Sequence, residues 1–164
     1  MRTDKSPTKA TPKRIPTEPG ASDAISLLVE DHEHVKDMFE QFESMTDRAV
    51  VGKKKLADEI CAELTKHTTV EEEIFYPAVR GAGKEFADMI DEAVVEHASA
   101  KQLIAEIEAM NPGDDLYDAK VKVLSELIEH HVREEEDELF PKVRKTKLDL
   151  VALGEQMAER KAEL

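Results

Sequence analysis

Four stretches of the chain repeat apolar positions at alternating steps of three and four, the signature of helices that bury one face. The first runs from about Ser22 to Ser44, with Ser22 as the expected N-cap and a stripe of Ile25, Leu28, His32, Val35, Phe39 and Phe42. The second, about Val50 to Val79, carries Leu56, Ile60, Leu64, His67, Glu71 and Ile74. The third, about Glu85 to Met110, carries Ile90, Val94, His97, Ile104 and Ile107. The fourth, about Leu116 to Val143, carries Leu124, Leu127, Ile128, His131, Glu135 and Leu139. Gly81 and Gly83 separate the second from the third, and Asn111-Pro112-Gly113-Asp114 separates the third from the fourth. A shorter amphipathic piece, about Leu148 to Ala162, follows and is expected to pack across one end. Long helices joined by short turns predict an all-α, up-down-up-down four-helix bundle over residues 22–145, with a short C-terminal helix over 146–164. Pro77 and Pro141 each remove a backbone donor, so a kink or a helix end is expected near both.

Each stripe is interrupted near its middle by a histidine, and two are interrupted by a glutamate as well. The interruptions repeat. His67, Glu71, Pro77 and Arg80 recur as His131, Glu135, Pro141 and Arg144, an offset of 64 throughout. The first and third helices match more loosely at an offset of 65, where Asp31-His32 falls on Glu96-His97 and Lys36 on Lys101. The repeat sorts the six histidines: His32, His67, His97 and His131 have internal partners, whereas His34 falls on Ser99 and His130 on Lys66. His34 and His130 therefore read as surface residues or as residues behind the site.

In His67-x-x-x-Glu71 and His131-x-x-x-Glu135 an imidazole and a carboxylate stand one turn apart on one helix face, with Cβ atoms ~5–6 Å apart. A lone histidine on an apolar stripe is most often a polar core residue satisfied by its neighbour. Six such residues, repeated in order at one depth of a bundle, are different. Burying bare carboxylates costs several kcal/mol each unless a cation compensates, and no lysine or arginine is expected to face them all. A pair of metal ions supplies the missing charge. The Glu-x-x-His spacing of ferritin-like bundles is absent, because Val29, Leu64, Val94 and Ile128 stand three residues before the histidines. There is no His-Glu-x-x-His motif, no nucleophile beside a base and no glycine-rich phosphate loop. Glu72, Glu73, Glu134, Glu136, Asp137 and Glu138 read mostly as a solvated face, with Glu134 or Glu72 able to assist from behind the ligands. The phenol oxygens of Tyr76 and Tyr117 are able to coordinate iron, but both residues read first as packing residues.

Composition adds limits. The formal charge is -14, yet residues 1–20 carry five basic and two acidic side chains, so the remainder carries about -17. An acidic body argues against nucleic acid as the main partner, since phosphate binding needs a basic face. Residues 1–21 hold four prolines and almost nothing apolar, which predicts a disordered basic tail. A single cysteine, Cys61, excludes an internal disulfide and suits a reducing compartment. No apolar run is long enough to span a bilayer and no secretory signal is visible, so the expected location is the cytoplasm, with no membrane partner.

The ordered set Asp31-His32, His67-x-x-x-Glu71, Glu96-His97 and His131-x-x-x-Glu135, followed by Leu-Phe-Pro, resembles the hemerythrin family, in its bacterial His-His-Glu cation-binding branch, over about residues 22–145. The resemblance implies a non-haem di-iron centre with an oxo or hydroxo bridge, Glu71 and Glu135 as bridging carboxylates, and His32, His67, His97 and His131 as terminal ligands. Two departures stand out. Oxygen-carrying hemerythrins have a fifth histidine one turn after the third-helix ligand, where this chain has Lys101, and their last motif is one residue longer. With a ligand fewer, the resemblance points away from a reversible oxygen carrier and toward binding of O2, peroxide (H2O2) or nitric oxide, in stress response or in iron and redox sensing. The same donors serve turnover and mere binding alike. Zinc or manganese would also satisfy them, and a metal-stabilised structural or regulatory bundle without redox turnover is the alternative.

Overall fold

A computed structural model describes residues 23–164, which form an all-α bundle. Helix α1 is Ala24–Ser44, and Asp23 caps it by accepting a hydrogen bond from Ser26 N–H. Ser22, the expected cap, and the tail over 1–21 lie outside the described residues. Helix α2 is one continuous run: Val50–Val70, a π-helical turn Glu71–Phe75, and Tyr76–Ala82. A 3-10 turn, Lys84–Phe86, leads into α3, Ala87–Glu108. Helix α4 repeats the construction of α2, with Tyr117–Glu134, a π turn Glu135–Leu139 and Phe140–Arg144. Helix α5 is Leu150–Glu163. Among the described residues no helix is long and apolar enough to cross a membrane.

The π turns are the fold's response to Pro77 and Pro141. Neither proline can donate to the carbonyl a turn behind it, and in each helix the hydrogen bonding widens just before the proline. Tyr76 N–H donates to Glu71 O and Phe140 N–H donates to Glu135 O, each five residues back. The helices continue through the prolines, but the register moves by one residue. In the second stripe Phe75 is therefore fully buried, while the expected Ile74 is only half-buried. A smaller correction concerns α3, whose buried face takes Ala93 and leaves Val94 at the surface.

Two apolar clusters fill the bundle. One gathers Phe39, Phe42, Ile60, Leu64, Ile104 and Leu124 with their neighbours; the other gathers Leu28, Phe75, Val79, Ile90, Phe140 and Val143. On each of α1 to α4 the repeated histidine falls between the two. Helix α5 lies along α1 and α2 and over the first π turn, seating Met157 in the second cluster. Arg160 pairs with Glu73 of that turn, and Lys161 Nζ donates to Asp31 Oδ1 at 2.5 Å.

Candidate metal centre

Between the two apolar clusters the structure brings together all six side chains singled out by the repeat. His32, His67, Glu71, His97, His131 and Glu135 are all buried, and Glu71 has no exposed surface at all. The imidazoles meet in pairs through their inner nitrogens, His32 Nε2 to His67 Nε2 at 3.2 Å and His97 Nε2 to His131 Nε2 at 3.1 Å. Glu71 spans the pairs: Oε1 is 3.1 Å from His67 Nε2, and Oε2 is 3.1 Å from His97 Nε2. Glu135 Oε1 closes on His131 Nε2.

The outer nitrogens explain why the inner ones face each other. Each Nδ1 meets a carboxylate from another helix: His32 with Glu136 at 3.0 Å, His67 with Asp31 at 3.0 Å, His97 with Glu72 at 2.8 Å and His131 with Glu96 at 3.1 Å. An ionised carboxylate only accepts, so Nδ1 carries the hydrogen and the Nε2 lone pair turns inward. Two facing lone pairs cannot bond to each other. They need a proton or a cation between them. Glu71 Oε1 and Glu135 Oε2 add to that need, because both are buried without a hydrogen-bond partner. The donor atoms fall into two buried groups each compact enough for one ion, His32 with His67 and Glu71, and Glu71 with His97, His131 and Glu135. Glu71 belongs to both.

The outer carboxylates follow the same pseudo-two-fold as the inner donors. Asp31 precedes His32 and serves His67, as Glu96 precedes His97 and serves His131; Glu72 follows Glu71 and serves His97, as Glu136 follows Glu135 and serves His32. Glu136 thus serves the site although its side chain is partly exposed, while Glu134 pairs instead with His130 at 3.1 Å. Lys101 points outward and donates to Glu72 at 2.7 Å, steadying the carboxylate behind His97.

A model of the hemerythrin HHE cation-binding domain matches residues 23–143. The chain belongs to this family. As a metal-binding, hemerythrin-like protein it is similar to a DNA nickase of a Nostoc species, 30% identical over 117 residues, which are 70% of this chain and 31% of that protein. It is also similar to an uncharacterized Mycobacterium tuberculosis protein, 29% identical over 64% of this chain and 65% of the relative. The chain therefore spans less than two thirds of the length of either. The crystal structure of an HHE cation-binding domain-containing protein from Mycobacterium kansasii superposes with a TM-score of 0.73 at 25% identity, covering 87% of this chain and 86% of that one.

Within this HHE domain Tyr76 is the residue that sequence reasoning missed. Its hydroxyl lies 3.2 Å from Glu71 Oε2, 3.0 Å from Glu135 Oε1, 3.2 Å from His97 Nε2 and 3.4 Å from His131 Nε2. In an unbroken α-helix, residues five apart point about 140° away from each other. The π turn brings Tyr76 under Glu71 instead. Its counterpart in the repeat, Phe140, stacks on His32 with ring centroids 5.9 Å apart. Tyr117 reads correctly as a packing residue: it lies in the other cluster, with its buried hydroxyl unpartnered.

The electrostatics of the protein alone match this geometry. Burial opposes a charged His67, but the Glu71 charge beside it and its hydrogen bond to Asp31 prevail and push it up to about 10. Burial is likewise outweighed at His131, which the Glu135 charge and its hydrogen bonds to Glu135 and Glu96 push up to about 11. Burial would raise the Glu71 carboxyl, yet His67 and His97 hold it well below the usual range. Burial and the charges of Glu71 and Glu135 drive the Tyr76 phenol upward.

Proposed function

We propose that the centre holds two iron ions, one between His32, His67 and Glu71 and the other among Glu71, His97, His131 and Glu135, and that it binds O2, peroxide or nitric oxide. The observation that carries this reading is the convergence of inward-facing imidazole lone pairs on two unpartnered buried carboxylate oxygens, with no side-chain ammonium or guanidinium among them. Imidazole, carboxylate and phenol oxygen form a donor set that suits iron. An iron pair bound there supplies redox-active Lewis acidity for small donor molecules.

The protein's own part is to hold, orient and exclude. The four outer carboxylates fix the imidazole planes, and Tyr76 offers a hydroxyl between Glu71 and Glu135. On the other side of the histidines lies a cavity of about 10 Å³ walled by Val35, Leu64, Ile128 and Val132. That space is no larger than one water-sized molecule and refuses an organic substrate. Small-ligand chemistry of this kind fits a protein of oxidative or nitrosative stress, or of redox sensing.

Metal quantification on protein expressed with iron, with absorption spectra before and after azide and peroxide, tests the reading. About two irons per chain, with charge-transfer bands that shift on azide, are expected. Zinc in the centre with indifference to peroxide would establish the structural role instead, and a stoichiometry near zero would refute both.

A further inference from the structure

The repeat that duplicates the ligands predicts two equivalent approaches to the centre, one between α1 and α2 and one between α3 and α4. The structure treats them in opposite ways. Helix α5 lies over the α1–α2 side, where Lys161 Nζ is held 2.5 Å from Asp31 and 3.8 Å from Glu63. Leu27 and Ile74 on that side are half-buried in the apolar cluster. The matching residues on the other side, by the offsets of 65 and 64, are Glu92 and Glu138, and Val70 is matched by Glu134. Among the described residues no helix covers them.

We propose that this open α3–α4 groove is the route by which a divalent cation reaches the centre, and that His130, Glu134 and Glu96 form a capture site at its mouth. The inference rests on the metal-binding reading of the six buried residues. Donor atoms of Glu96, His130 and Glu134 lie close enough together to share one ion, with His130 Nε2 3.1 Å from Glu134 Oε1 and 3.5 Å from Glu96 Oε2. The mixed imidazole and carboxylate set is the chemistry of the buried centre, presented at the surface. Below it a cavity of about 30 Å³, room for about one water molecule or one ion, is lined by Glu92, Glu96, Glu134 and Glu138.

The floor of the cavity is His131 and Glu135. Glu135 is the independent sign that the groove leads somewhere: it is buried, and its Oε2 has no partner. Glu96 joins mouth to floor. One of its oxygens faces His130, while the other holds His131 Nδ1 at 3.1 Å. Carboxylates along a narrow low-dielectric cleft focus the field and raise the local concentration of cations, which speeds association by about ten- to a thousandfold.

The test follows uptake of Co(II) by the metal-free full-length chain, using its visible absorption in a stopped-flow instrument. The groove variants are His130→Ala/Glu134→Gln and Glu92→Gln/Glu138→Gln. The control is Glu155→Gln/Glu159→Gln, which removes two exposed charges from α5. Both groove variants should load about tenfold more slowly or worse, reach the wild-type cobalt content, and show a weaker dependence of rate on salt. The control should load like wild type. Unchanged rates in the groove variants would overturn the proposal, as would equal slowing in the control, or a lower final content with an unchanged rate. A wild-type chain that takes up no cobalt would instead defeat the metal-centre reading itself, so the two failures are distinguishable.

Discussion

Loading a cation onto the metal-free centre must expel protons, and the structure says how many. His67 is pushed up to about 10 and His131 to about 11, so at neutral pH both imidazolium forms persist in the folded, metal-free chain. Their Nδ1 hydrogens are engaged by Asp31 and Glu96, so the additional proton occupies Nε2, the atom a cation needs. At pH 7 the neutral form of each is then a small minority. One proton leaves from each of the two ligand groups, and each apparent affinity should rise about tenfold per pH unit between pH 7 and 9. Isothermal titration calorimetry in buffers of different ionisation enthalpy reads this directly, as a slope of about two protons per loaded chain. The same shifts bear on the metal-free fold. Both values lie above the unfolded histidine value of about 6.5, so their stabilisation is whole below that pH and is lost as pH climbs through about 10 to 11. Thermal melts of metal-free protein should therefore fall on the alkaline side. A buffer-independent heat of binding, or a metal-free Tm that rises between pH 9 and 11, would refute the reasoning.

Two substitutions separate the parts of the centre. Glu71 belongs to both ligand groups and Glu135 to one, so Glu71→Gln should bring bound metal near zero while Glu135→Gln keeps about one ion per chain, measured by mass spectrometry of metals; equal losses would contradict the sharing of Glu71. Tyr76→Phe copies Phe140 and strips a hydroxyl that donates toward two buried carboxylates, so urea unfolding of the metal-free protein should show a loss of about 1–3 kcal/mol, and no change would mean the hydroxyl is idle.

What the sequence made legible, and what it hid, divides along a physical line. The all-α bundle was legible because each stripe keeps the helical period over about four to five turns. The six buried donors were legible because the chain repeats them, which distinguishes a site from four separate core histidines. Asp31 and Glu96 were marked by the same repeat, although their role was not, since each serves the histidine of the neighbouring helix rather than the one beside it. Glu136 looked solvated because a residue next to a buried donor ordinarily turns outward; it reaches back across the bundle to His32. Tyr76 was hidden for a different reason. A period of 3.6 assigns it to another face, and only the π turn ahead of Pro77 brings it under Glu71. The prolines announced a disturbance but not its kind. The lysine of α5 was out of reach altogether, because nothing local to Lys161 indicates a partner at Asp31, 130 residues away.

The duplicated hairpin sets symmetric ligands, and the chain then breaks the symmetry three times in a consistent sense. Tyr76 stands by His97 where Phe140 stacks on His32; α5 covers the α1–α2 side while carboxylates line the α3–α4 side; Glu71 reaches both ligand groups while Glu135 reaches one. Each break makes the His97–His131 half the more polar of the two, while all four imidazoles are buried. Two ions held in such unequal surroundings would differ in affinity and in exchange rate. On the proposed groove route, the half with the phenol hydroxyl and the acidic groove would fill from solvent, and the half under Phe140 and α5 through the shared Glu71. Sequential filling follows from that layout: the first Co(II) equivalent should enter at His97 and His131, and the second should move the absorption bands of the first, because one carboxylate answers to both.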